Sequence, residues 1–141
     1  VWCRGSNPGS ADLQDLTVDT PQGRVPLYQH LAQASLGWSG AGNMGLVVGA
    51  TNPDQLESVR GICPGMPLLI PGIGAQGGDL EAAVRLGTDH RGRLAIVSSS
   101  RGIIYASGGP DYAEAARREA SRLREAINRI LDSEGKGWPS S

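Results

Sequence analysis

Four short apolar runs punctuate this chain, and each is followed by turn residues and then by a segment of helical periodicity. The runs are Val1-Trp-Cys-Arg4, Gly45-Leu-Val-Val-Gly-Ala50, Pro67-Leu-Leu-Ile70 and Leu94-Ala-Ile-Val97. None alternates apolar with polar residues, so none reads as a strand with one face in water. The segments between them carry apolar residues at spacings of three and four. In the first, Pro26 to Leu36, Leu27, His30, Leu31 and Ala34 share one face. The second opens on Asn52, a plausible N-cap, with Pro53 at the first helical position and Asp54 in the first turn. The third, Asp79 to Leu86, turns Leu80, Ala83 and Val84 inward. The fourth and longest, Asp111 to Leu131, aligns Tyr112, Ala116, Ala120, Leu123, Ile127 and Ile130. Strand followed by helix, four times over, predicts an α/β chain with buried strands in a parallel sheet and right-handed crossovers.

Two architectures use such units: an open doubly wound sheet, or part of a closed barrel. Eight units and about 250 residues close a barrel, and this chain has 141 residues. It begins at Val1, already inside a strand-like run, which reads as a fragment or a processed piece. Residues 1–132 are expected to form one folded unit and residues 133–141 a disordered tail.

Composition narrows the function classes. A formal net charge of -1 argues against a cationic nucleic-acid binder. No apolar run approaches the roughly 20 residues of a membrane span. Cys3 and Cys63 stand far apart and outside any metal-ligand spacing, which favours two reduced, partly buried thiols and a reducing cytoplasm. His30 and His90 have no partner pattern, and no Gly-x-Ser-x-Gly elbow accompanies the serines, so a serine hydrolase is not supported.

The residues that suggest chemistry lie in loops directly after strands. Pro71-Gly-Ile-Gly-Ala-Gln-Gly-Gly-Asp79 lets backbone N–H groups approach an anion at the start of a helix, with Gln76 as a further donor. It matches neither the phosphate loop that ends in Gly-Lys-Ser/Thr nor the dinucleotide fingerprint, and a plain tight turn is the alternative. Ser98-Ser-Ser-Arg-Gly102 places Arg101 just after a buried strand, where a guanidinium suits a phosphate; an Arg–carboxylate pair is the alternative. Ser6-Asn-Pro-Gly9 is a short polar loop able to read the edge of a base or amide, or an ordinary turn. No metal ligands and no cofactor motif are found.

Taken together, Gly45-Leu-Val-Val-Gly-Ala-Thr51, Leu69-Ile-Pro-Gly-Ile-Gly-Ala-Gln-Gly-Gly-Asp79 and Ser99-Ser-Arg-Gly-Ile-Ile-Tyr-Ala106, in this order and spacing, resemble the orotidine 5'-monophosphate decarboxylases of the longer bacterial kind. The resemblance implies that the four strands are the fifth to eighth of a TIM (β/α)8 barrel, its C-terminal half. It assigns Gln76, Ser100 and Arg101 to the substrate phosphate, Ser6 to the pyrimidine edge and Pro71 to the ring. It implies a carboxy-lyase of UMP biosynthesis that converts OMP to UMP and carbon dioxide without metal or cofactor, as a cytoplasmic homodimer of the complete chain. The catalytic lysine of that family belongs to an Asp-x-Lys-x-x-Asp pattern after the third strand, which is absent here; Lys136, the one lysine, lies near the C-terminal end. No catalytic residue is therefore expected in this chain. The alternative is a non-catalytic, self-associating half barrel that binds a nucleotide or phosphosugar.

Overall fold

In a computed structural model that describes residues 1–74 and 76–138, the four expected strands form one parallel sheet. They are β1 (Trp2–Arg4), β4 (Leu46–Val48), β5 (Leu68–Pro71) and β6 (Ala95–Ser98), side by side in that order. Each is followed by a major helix: α2 (Leu27–Trp38), α3 (Pro53–Ile62), α4 (Leu80–Gly87) and α6 (Tyr112–Ser133). Two short helices, α1 (Ala11–Gln14) and α5 (Ser100–Ile104), sit just beyond β1 and β6.

A hairpin of β2 (Thr17–Thr20) and β3 (Gly23–Pro26) is inserted between α1 and α2 and was not anticipated. Its strands are four residues each, too short for a period-two signal to stand out.

Side-chain alternation divides the sheet cleanly. Cys3, Leu46, Val48, Leu68 and Ile70 are buried against the helices, where Ala32, Leu56, Val59, Ala83 and Leu123 complete the core. The opposite face carries Trp2, Val47, Leu69 and Ile96, which the strand register sets in a single row: Trp2 opposite Val47, Val47 opposite Leu69, Leu69 opposite Ile96. Trp2 is 62%, Leu69 39% and Ile96 60% exposed. The strands expected to be buried are therefore covered on one face only, among the described residues.

The expected faces of α2 and α6 are corrected. The buried face of α2 is Tyr28, Ala32 and Ser35, and His30 is exposed, because the helix is rotated so that Tyr28 and Ala32, one turn apart, face the core. Ile103 packs on the core, but Ile104 and Tyr105 face solvent. In α6, Ala115, Leu123 and Leu131 are buried while Tyr112 and Ala120 are exposed. Of the segment expected as a tail, Ser133 closes α6, the Lys136 N–H donates to the Leu131 carbonyl at 2.8 Å, and the Trp138 indole N–H reaches the Gly92 carbonyl at 3.1 Å. Residues 139–141 lie outside the described residues.

The two thiols are core groups: Cys3 donates to the Tyr28 carbonyl and Cys63 to the Ala32 carbonyl. Burial pushes the Cys3 thiol up to about 12, so it stays neutral and unreactive near neutral pH.

The ends of the strands away from the loops described below are gathered by one side chain. Arg60, near the end of α3, is buried. Its guanidinium donates to the carbonyls of Gly87 (3.0 and 2.6 Å), Cys63 (3.1 Å), Met66 (2.8 Å) and Leu94 (2.9 Å). Burial lowers its pKa, and the nearby Asp89 opposes that. Leu94 holds φ at 64°, a left-handed conformation that costs a leucine about 1–2 kcal/mol. Its carbonyl is fixed twice, by Arg60 and by the Leu68 N–H at 2.8 Å. Arg60→Met should lower the unfolding free energy by roughly 3–5 kcal/mol, since several buried carbonyls lose a charged donor. Urea denaturation measures this; an unchanged midpoint would mean that these carbonyls are satisfied without Arg60.

Candidate functional site

The site is assembled at the C-terminal ends of the strands. Leaving β1, the backbone at Gly5 and Ser6 is held from both sides. The Gly5 N–H donates to Gln14 Oε1 of α1 at 2.7 Å, and the Gly5 carbonyl accepts from Ser10 Oγ at 3.1 Å and Asn52 Nδ2 at 2.8 Å. The Ser6 carbonyl accepts from Thr51 Oγ1 at 3.1 Å. Arg4, 4% exposed, forms a two-pronged pair with Asp15, both contacts at 2.9 Å, and also bonds Ser10. That bidentate geometry fixes α1 against the end of the strand.

Gly49, just beyond β4, makes this approach possible. A Cβ there would lie 2.6 Å from Ser6 Cα and 2.7 Å from Ser6 N, closer than carbon and backbone can pack. The loop after β5 comes equally close. Gly72 has φ +107°, and a Cβ on it would meet Ser6 Cβ at 3.0 Å and Gln76 Oε1 at 3.2 Å. The loop folds back on itself through the Gly78 N–H to the Gly72 carbonyl (3.0 Å). Asp79 then caps α4, accepting from the Glu81 and Ala82 N–H groups at 2.8 and 3.2 Å.

These contacts bring Ser6 Oγ to 2.9 Å from Gln76 Oε1, so the serine hydroxyl donates to the amide oxygen and the amide nitrogen remains a donor. Ser100 and Arg101 open α5, with Ser99 at its N-cap. Arg101 is exposed and makes no ion pair among the described residues, so the carboxylate alternative for it is not seen here.

Two cavities adjoin at this end of the sheet. One, of about 570 Å³, is lined by Arg4, Ser6, Asn7, Asn52, Gln76 and Arg101 among others. The other, of about 170 Å³, is lined by Pro71, Gly72, Ile73, Gln76, Ser98, Ser100 and Arg101. Gln76 and Arg101 border both. All five residues singled out in the sequence, Ser6, Pro71, Gln76, Ser100 and Arg101, thus line one or both of these adjoining cavities, and among the described residues no carboxylate lines either. Among the described residues the arrangement offers a cation without an ion pair, an amide donor and hydroxyls to an anionic ligand.

Arg4, Thr51 and Asn52 were not foreseen here. Arg4 carried a signal, since a charge at the end of a buried run needs a partner, the same reasoning that singled out Arg101. Asn52 was foreseen as the N-cap of α3, but it makes no side-chain cap bond. Among the described residues no group of three His, Cys, Asp or Glu could hold a metal ion, and no helix is long and apolar enough to cross a membrane.

Residues 3–118 match the family described as orotidine 5'-phosphate decarboxylase / HUMPS. The chain belongs to this family. The orotidine 5'-phosphate decarboxylase of Polaromonas naphthalenivorans is 53% identical over 128 residues, which are 90% of this chain and 45% of that one. The same enzyme of Dehalococcoides mccartyi is 48% identical, across 91% of this chain and 47% of its own. The solved structure of Leishmania donovani OMP decarboxylase superposes with a TM-score of 0.73 at 37% identity, covering 92% of this chain and 46% of that one. This chain therefore spans about half the length of the curated relatives it matches. Its four parallel βα units are the C-terminal half of the decarboxylase barrel.

Gly49→Ala should cost about 1–3 kcal/mol by overpacking against Ser6. Unfolding in urea, read with the amide exchange of residues 5–10, measures this. Wild-type stability would mean that the β1 and β4 ends are not in contact.

Proposed function

We propose that this chain is the phosphate- and pyrimidine-binding half of an orotidine 5'-monophosphate decarboxylase, which converts OMP to UMP and carbon dioxide in pyrimidine biosynthesis. The convergence of Gln76 and Arg101 on both cavities carries this reading. In it, Arg101, Gln76 and the backbone of Ser100 and Arg101 hold the phosphate, Ser6 bonds the pyrimidine edge, and Pro71 lies against the ring. The Ser6–Gln76 hydrogen bond supports it, because it links the base contact to the phosphate contact through two side chains.

The chemistry needs a proton for the carbon that loses its carboxylate, and an ammonium can deliver one where a guanidinium hardly can. Lys136 packs beside Gly92, in the turn that precedes β6, at the other end of the strands from the site. The lysine and aspartates of the reaction therefore belong, in this proposal, to the barrel half that the chain does not span. The complete protein is a cytoplasmic homodimer that needs no cofactor or metal. Two unpaired core cysteines agree with a reducing compartment.

Arg101→Ala should weaken UMP binding by about 1.5–3 kcal/mol, the scale of a charge-assisted contact, in calorimetric titration. The wild-type chain should bind uridine more weakly than UMP. Equal affinity for the two would remove the phosphate assignment.

A second reading, self-association of the half barrel without catalysis, is favoured by the row of exposed Trp2, half-buried Val47, and exposed Leu69 and Ile96. An apolar row across a sheet calls for cover. This reading expects a stable dimer mass in light scattering at micromolar concentration, and a soluble monomer would exclude it.

A further inference from the structure

Asn52 occupies the N-cap position of α3, with Pro53 behind it, yet its side chain accepts nothing from the helix. An asparagine that caps contributes about 1 kcal/mol, and here that contribution is forgone. Nδ2 instead donates to the Gly5 carbonyl at 2.8 Å and to Thr51 Oγ1 at 3.1 Å. Thr51 Oγ1 passes the restraint on, donating to the Ser6 carbonyl at 3.1 Å. Two successive carbonyls, on either side of the Ser6 Cα, are thus pinned from the α3 side, while Gln14 pins the Gly5 N–H from the α1 side. Fixing both carbonyls fixes the backbone of Ser6, and with it the direction of its Cα–Cβ bond. The hydroxyl then has one productive position, 2.9 Å from Gln76.

We propose that Asn52 is a positioning residue. Acting through Thr51 and the Gly5–Ser6 backbone, it sets where the Ser6 hydroxyl points and so how strongly the base end of a nucleotide is selected. The proposal rests on the reading of Ser6 as the base contact. It makes Asn52 a determinant of preference for UMP over a base-free phosphosugar, while grip on the phosphate stays with Gln76 and Arg101.

Asn52→Asp separates this role from a merely structural one, because the two consequences run in opposite directions. A carboxylate of the same shape is a good N-cap beside the positive end of α3, so the helix should hold or gain stability. The same carboxylate has no proton for the Gly5 carbonyl and repels it. The expected result is a thermal midpoint equal to or above wild type and faster amide exchange at Ser6 and Asn7. UMP affinity should fall about tenfold, with ribose 5-phosphate affinity changed by less than about twofold. Asn52→Ala, which removes both donor and cap, should lose the same UMP preference and serves if the Asp variant folds poorly. The inference is overturned if UMP and ribose 5-phosphate weaken by the same factor, or if UMP affinity stays at the wild-type value. It is also overturned if the wild-type chain binds ribose 5-phosphate as tightly as UMP. In that last case an Arg101→Ala loss for both ligands would leave the phosphate assignment standing, so the two readings fail separately.

Discussion

A single buried cation closes the N-terminal end of the sheet, and the geometry of the opposite end, with the candidate site, follows from it. Arg60 receives the carbonyls that finish α3 and α4 and the one that precedes β6. Helix C-termini carry partial negative charge and unpaired carbonyls, so two of them can point at one place only if a donor with several N–H groups sits between them. A guanidinium, planar and forked, is the side chain with enough donors. By setting Leu94 in its left-handed turn beside Leu68, Arg60 starts β5 and β6 in register. Strands that start level end level, and Pro71 finishes opposite Ser98. That places the loop carrying Gln76 beside the one carrying Arg101.

At the functional end the chain is held by close backbone approach rather than by a large apolar cluster. Gly49 meets the backbone of Ser6, Gly72 meets its side chain, and Gly78 meets Gly72 and Ala50. These contacts exclude side chains so that polar loops can be fixed within hydrogen-bonding distance of one another. The glycine content has this physical meaning at a few positions, while others, such as Gly61 and Gly65, have nothing near them.

Much of this was legible in the sequence, and the limits have physical causes. The four βα units were readable because buried parallel strands are continuously apolar and because Pro53 and Asp79 mark helix starts. Ser6, Pro71, Gln76, Ser100 and Arg101 drew notice because each ends or follows a strand, and each lines one or both of two adjoining cavities; their roles remain part of the proposal. The hairpin was not, since four-residue strands beside a turn leave no period to detect. Arg60 was not, because nothing local distinguishes a helical arginine in solvent from one that meets four separate carbonyl-bearing segments. Asn52 was misjudged for a related reason. A capping residue is recognised by its neighbours in sequence, and its partner here is 47 residues away.

The two arginines near the site differ in whether the fold already answers their charge. Arg4 is buried, doubly bonded to Asp15 and further bonded to Ser10, so its charge is already answered and its fork cannot turn toward a guest. Arg101 stands exposed at the rim of both cavities, with no carboxylate against it among the described residues. A charge satisfied inside the fold fixes position, and a charge left open attracts an anion. Binding energy drawn from a remote phosphate can be used at a reacting centre only if the path between them is stiff. In the proposed reading the phosphate end is Arg101 and Gln76, which border the same two cavities, and the Ser6–Gln76 hydrogen bond carries that end to Ser6, whose strand end the Arg4–Asp15 pair braces.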